Sequence, residues 1–181
     1  MLKTFIHRLL KRVAKQVSKN DLFEQANERV PQVPIFETVQ SMVRQSSFTE
    51  IEEAMLSVRL VNHWATWCAP CVEELEILKS IQDEVGPHKM MGISWELFQG
   101  ESAAVAVEEI VRTANSMGLQ YVHHVIANAP EAFFEHFDLQ EQVVPQTFVF
   151  SDSFELLFHR VGVLTQDDVQ PLVQLIRGEA S

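Results

Sequence analysis

The chain has little of several things, and each shortage excludes something. Only two of its 181 residues are cysteine, too few for a secreted scaffold stapled by several disulfides or for a four-cysteine zinc site. Six glycines and seven prolines are too few for a collagen-like or low-complexity chain. No stretch approaches the roughly 18 apolar residues of a membrane-spanning helix. Positive charge is also scarce: 14 Lys and Arg against 25 Asp and Glu give a formal net charge of -11. Phosphate binding needs a clustered positive surface, so no nucleic acid is expected as the main partner. The length suits one domain with a modest extension.

The charge that is present is unevenly placed. Lys3, Arg8, Lys11, Arg12, Lys15 and Lys19 all precede the first acid, Asp21. Between them Leu2, Phe5, Ile6, Leu9, Leu10, Val13 and Val17 recur at helical spacing, the pattern of an amphipathic helix. Residues 2–19 are therefore expected either to pack their apolar stripe on the acidic body or a sister subunit, or to make peripheral contact with an anionic membrane. The cations break any apolar run of the about 7–15 residues that an export signal requires, so no cleavable signal is expected. An organelle presequence is a weaker reading, since the arm holds only Arg8, Arg12 and Ser18 of the residues that mark one. The compartment expected on these grounds is the cytoplasm, with an extracytoplasmic or membrane-associated location as the alternative. Pro31 and Pro34 bracket a linker over 27–34, which divides the chain into an arm and linker over 1–32 and a domain over 33–181.

Periodicity and punctuation predict strands over 33–38, 60–64, 90–95 and 121–126, and a hairpin of 147–151 with 156–161. Helices are predicted over 48–56, 68–85, 102–117, 130–137 and 166–176. Gly86 and Pro87 stop the second of these, and Asp167 and Asp168 favour the start of the last. Strands alternating with helices imply an α/β fold with its sheet covered on both faces.

The chemistry is concentrated between Val61 and Cys71, where the chain reads VNHWATWCAPC. Two cysteines separated by two residues at a strand-to-helix junction close a disulfide locally and reversibly. Cys68 sits where free backbone N–H groups and the helix dipole stabilise a thiolate, which makes it the attacking nucleophile. Cys71, one turn further in, is expected to be shielded and to act once a mixed disulfide has formed at Cys68. Pro70 fits the first helical turn, where an N–H is not needed. The alternative from another class is a zinc or copper module in which His63, His123 or His124 completes the pair, although none of them lies at a tight ligand spacing from it.

Residues 62–71 resemble the N-F-W-A-T-W-C-x-P-C motif of TlpA/ResA-type thiol-disulfide oxidoreductases in the thioredoxin superfamily, and the resemblance extends over roughly 33–177. It implies a three-layer α/β/α thioredoxin-like fold with a mixed central sheet and an inserted helix, here 101–117, before the cis-proline strand. It further implies that Pro145 is the cis-proline facing the cysteine pair, that Val144 offers backbone hydrogen bonds to a bound chain, and that Trp67, Ala69 and Pro70 line the substrate-binding surface. Thioredoxins proper carry a buried aspartate where this chain has Asn62, which cannot take a proton. The resemblance places the substitute base at a glutamate after the second core strand: Glu96 by distance from the strand, or Glu101 by local motif. Glu74 matches an acidic position of the motif, and with Glu73 and Glu76 it is expected to oppose a thiolate at Cys68. His63 stands where the motif has phenylalanine and is expected to be a hydrogen-bonded core residue. The activity implied is exchange with protein thiols or disulfides and with an upstream redox partner, with no organic cofactor. A peroxide-reducing relative is disfavoured, because a peroxidatic cysteine does not need so tightly spaced a partner.

Overall fold

Trp64 reaches across a gap left by Gly92 to His123, and that contact shows how the sheet is assembled. Strands β2 (Leu60–Trp64) and β3 (Met90–Ser94) are buried at every position, as expected of strands covered on both faces. The computed structural model describes residues 43–99, 102–126 and 143–179. Within these, β1 (Val43–Ser46), β4 (Val122–Ile126), β5 (Gln146–Phe150) and β6 (Leu156–Val161) complete a six-stranded sheet of order β1-β4-β3-β2-β5-β6. The first four strands in that order run parallel, and β5 and β6 are antiparallel additions, so the sheet is mixed.

The helices are α1 (Phe48–Met55), α2 (Ala69–Val85), α3 (Ala103–Ser116) and α4 (Gln166–Arg177). A capping box at Ser47 and Glu50 starts α1, and one at Thr165 and Asp168 starts α4. Ser102 caps α3 by accepting from the Val105 N–H. The β2-α2-β3 and β3-α3-β4 crossovers step in the same direction along the sheet, so right-handedness puts α2 and α3 on one face. There Gln82 of α2 accepts from the Gln120 N–H at the end of α3's turn, and α4 packs beside α2. The crossover through α1 steps the other way and covers the opposite face. The result is the three-layer α/β/α thioredoxin-like arrangement.

Register decides which side chains meet. Asn62, Gly92 and His123 are lateral neighbours on β2, β3 and β4, and Trp64 lies two residues along from Asn62 on the same face. Trp64 Nε1–H donates to His123 Nδ1 at 3.2 Å. A Cβ on Gly92 would lie 2.4 Å from that nitrogen and 3.1 Å from Trp64 Nε1, so only glycine fits under the bond. On the other face Trp95 Nε1–H donates to His63 Nδ1 at 3.1 Å. Burial, helped by the charge of His159, pushes His63 down to about 3, which makes it a neutral core residue.

Most elements start and stop within a residue or two of their expected bounds. Strand β1 was not anticipated, because four residues with a single strongly apolar member, Val43, carry no period to read. The arm over 2–19, the strand expected over 33–38 and the helix expected over 130–137 lie outside the described residues.

Candidate active site

Strand β2 ends at Trp64, the chain turns through Ala65-Thr66-Trp67, and Cys68 becomes the N-cap of α2 with extended backbone angles. Cys68 and Cys71 form a disulfide, with S–S 2.06 Å and Cα atoms 5.2 Å apart. The Cys71 N–H donates to Cys68 Sγ at 3.3 Å, so the sulfur takes the place of the usual capping oxygen. The Cys71 N–H and the positive end of the α2 dipole therefore favour the Cys68 thiolate when the pair is reduced. Pro70 occupies the first turn without cost. Cys68 is 7% exposed and Cys71 1%. That contrast gives the two sulfurs different access to a partner.

Across from the pair, the Val144–Pro145 peptide bond is cis, and Val144 O lies 3.7 Å from Cys68 Sγ. The loop is held from behind, where the Gly162 N–H donates to Pro145 O at 2.9 Å. Trp67, Ala69 and Pro70 are exposed on the near side of the disulfide. Of the five residues expected to form the substrate surface, three neighbour the cysteines in sequence and Val144 approaches Cys68 from the cis-proline loop.

One turn along α2 from the disulfide lies a carboxylate that the sequence groups with Glu73 and Glu76 at an acidic position of the motif. Glu74 is three residues after Cys71, on the stripe of α2 formed by Cys71, Glu74, Leu75, Leu78, Ile81 and Gln82, and is fully buried. Its Oε1 accepts from Thr147 Oγ1 at 3.0 Å and from Asn62 Nδ2 at 3.2 Å, and its Oε2 from the Leu164 N–H at 3.3 Å. Burial dominates and pushes Glu74 up to about 7, against the opposing effect of the Thr147 and Leu164 bonds and of Arg160. The expected joint repulsion of the Cys68 thiolate by Glu73, Glu74 and Glu76 is weakened accordingly: Glu74 is neutral for much of the pH range, and the other two are solvated. The signal available in the sequence was the i, i+3 relation to Cys71 on the apolar stripe.

Glu96 is also buried, but it sits to the side of the pair. It opens the short 3₁₀ turn Glu96–Gln99 after β3, and its carboxylate accepts from the Thr66 N–H in the turn before Trp67. It lines a cavity of about 450 Å³ with Thr66, Trp67, Val72, Val105 and Glu109. Glu101 lies outside the described residues.

The candidate metal ligands do not converge. His63 and His123 face opposite sides of the sheet and accept from Trp95 and Trp64, and His124 Nδ1 is 2.8 Å from Ser46 Oγ. No group of three or more His, Cys, Asp or Glu side chains placed to hold a metal occurs among the described residues. Nor is any helix among them long and apolar enough to cross a membrane.

No family model matches the chain. It is 28% identical over 138 residues to the thiol:disulfide interchange protein HelX of Rhodobacter capsulatus, covering 75% of this chain and 70% of that one. Among solved structures it resembles a DsbF homologue from Corynebacterium diphtheriae, with TM-score 0.53, 19% identity, and 71% and 75% of the two chains covered. It also resembles a secreted thiol-disulfide isomerase from Corynebacterium glutamicum, with TM-score 0.50, 23% identity, and 68% and 75% covered.

Proposed function

We propose that this chain, which belongs to the thioredoxin-like superfamily and is a thiol-disulfide oxidoreductase of the TlpA/ResA type, works with Cys68 as the attacking thiolate and Cys71 as the resolving thiol. The observation that carries the assignment is the Cys68–Cys71 disulfide at the start of α2, with the more exposed sulfur facing the cis-proline loop. In the reducing direction the Cys68 thiolate attacks a substrate disulfide, and one substrate sulfur leaves as a thiolate. Cys71 then loses its proton and attacks Cys68 Sγ. The second substrate sulfur leaves, and two electrons have passed from the pair to the substrate. The steps reverse when the substrate thiol is the donor, and the potential of the couple against its surroundings sets the direction.

In this scheme Glu74 takes the Cys71 proton, supported by its burial and its place one turn along α2. Glu96 is the second candidate, and Glu101 belongs to the same group of proposals. Val144 offers its backbone to the bound chain, and Trp67, Ala69 and Pro70 form the surface beside it. Exchange takes place with protein thiols or disulfides, and an upstream redox partner restores the pair. The thioredoxin-like domain spans 33–181 and the arm with its linker 1–32.

The assay that separates this reading from a zinc or copper module is insulin reduction combined with metal analysis of the purified protein. Dithiol-dependent turnover without stoichiometric metal is expected. One equivalent of zinc or copper with no turnover would overturn the assignment.

We place the chain outside the cytoplasm or at a membrane surface, the second of the two compartments considered. The secreted neighbour from Corynebacterium glutamicum supports this, as does the basic amphipathic pattern of 2–19. Full-length protein is expected to be retained by anionic vesicles at low salt and released at high salt, because its six arm cations supply the attraction. Indifference to vesicles, with a loss of thermal stability when 1–20 are deleted, would assign the arm to packing instead.

A further inference from the structure

Three buried side-chain atoms on the α2 side of the sheet have no hydrogen-bond partner among the described residues: Asn62 Oδ1, Tyr121 Oη and His123 Nε2. Their residues are 1%, 1% and 0% exposed. Polar groups so deeply buried are almost always paired, with ordered water where protein offers nothing.

Register brings the three residues to one region. Asn62 and His123 flank Gly92 on β2, β3 and β4, and the Trp64–His123 bond passes over the glycine between them. Tyr121, two residues before His123, packs its ring on that imidazole with centroids 4.6 Å apart. The Asn62 amide is oriented by its other end: Nδ2 donates to Glu74 Oε1 at 3.2 Å and Thr147 Oγ1 at 3.1 Å, both away from β3. Its Oδ1 is consequently turned toward β3 and β4, where Tyr121 and His123 lie. His123 accepts at Nδ1 from Trp64, and burial, reinforced by His124, pushes it down to about 3. The neutral ring therefore carries its proton on Nε2 and offers a donor there. One donor, one acceptor and one hydroxyl that does both make a set that water completes.

We propose that Asn62, Tyr121 and His123 hold buried water between the sheet and α2, and that through the Asn62 amide this water site positions Glu74 and sets the pH at which Glu74 exchanges its proton. Tyr121 and His123 are thereby positioning residues for the dithiol exchange proposed above, on which this inference rests. The sign follows from the amide. A hydrogen bond accepted at Asn62 Oδ1 polarises the group and makes Nδ2–H a stronger donor to the Glu74 carboxylate, which favours its charged form. Losing that bond raises the Glu74 midpoint. Glu74 also faces Arg160 of β6, which favours its charge, and Asp168 of α4, which opposes it. The cysteine pair lies on its own helix. None of these is altered by changes at 121 or 123.

Two substitutions test the idea in the full-length reduced protein. Tyr121→Phe removes only the hydroxyl, and His123→Asn keeps an acceptor for Trp64 while drawing its remaining donor, the shorter amide, back from the Nε2 position. The Glu74 midpoint is read from the pH dependence of its carboxyl band in infrared difference spectra, identified by its loss in Glu74→Gln. Each variant is expected to raise the midpoint by about half a pH unit, roughly a threefold gain in proton affinity. The double variant is expected to move it by little more than either single change, because one site serves both residues. Midpoints that stay at the wild-type value, with or without a loss of thermal stability, would overturn the proposal, and fully additive shifts would overturn the shared site. The readout does not depend on turnover. A failure of the Cys68 and Cys71 assignments would show in covalent trapping, and a failure of the water site in an unmoved midpoint.

Discussion

Cys71→Ser is expected to accumulate a covalent complex between Cys68 and substrate proteins, stable to gel electrophoresis without reductant, whereas Cys68→Ser accumulates none. In the wild type the mixed disulfide at Cys68 is resolved by a thiol already held one helical turn away, with the two Cα atoms 5.2 Å apart. Positioning of that kind is equivalent to a very high local thiol concentration. Removing it leaves only external thiols, and the lifetime of the mixed disulfide should lengthen by roughly 10³-fold or more. The converse variant keeps Cys71, which is 1% exposed beneath the turn and cannot meet a protein disulfide from there. Equal trapping by the two variants would contradict the division of roles. Substitution at either position should change global stability little beyond the loss of the disulfide, which closes only a very short loop.

How far the site could be read from sequence depends on whether the controlling interaction is local. The Cys68 cap, Pro70 and the start of α2 depend on neighbouring residues, so VNHWATWCAPC suffices to place them. The β5–β6 hairpin, with Gln146 opposite Val161, likewise follows from two short apolar runs and a turn. Val144 and Pro145 came only through resemblance, because their approach to Cys68 spans 76 residues of sequence. Glu74 was grouped with Glu73 and Glu76 for a different reason. Three glutamates close together on a helix look like a solvated face, yet the 3.6-residue period turns Glu74 inward with Leu75 and Leu78 while Glu73 and Glu76 stay outside. The contacts of Asn62 with Glu74 and Thr147, and its place beside Gly92 and His123, depend on strand order and register. No pattern within the strand specifies those.

The choice between Glu74 and Glu96 as the base is the consequence with the sharpest kinetic signature. A buried thiol in apolar surroundings holds its proton more tightly than a free one, so Cys71 needs an acceptor before it can attack. Asn62 cannot serve. Glu74, pushed up to about 7 by burial, is poised where a general base at neutral pH works best. Glu96 is held at the side of the turn by the Thr66 N–H. Glu74→Gln keeps the shape and much of the hydrogen bonding while deleting the base, and is expected to slow resolution of the mixed disulfide by roughly 10²-fold or more near pH 7. The loss should shrink at high pH, where hydroxide ionises Cys71 unaided, and should also shrink well below pH 7, where Glu74 in the wild type is already protonated. Glu96→Gln is expected to leave that pH profile in place. Stability provides an independent check with its own sign. Because the folded-state value is raised above the ordinary 4.5, the native state binds the extra proton, so Glu74's contribution is complete below about 4.5 and is lost as pH rises through about 7. Glu74→Gln should remove that decline, and the melting temperature of the variant should vary less between pH 5 and 8 than that of the wild type. A wild-type resolution rate in Glu74→Gln across the pH range would remove Glu74 from the mechanism, and a rate lost in Glu96→Gln alone would transfer its role to the side of the turn.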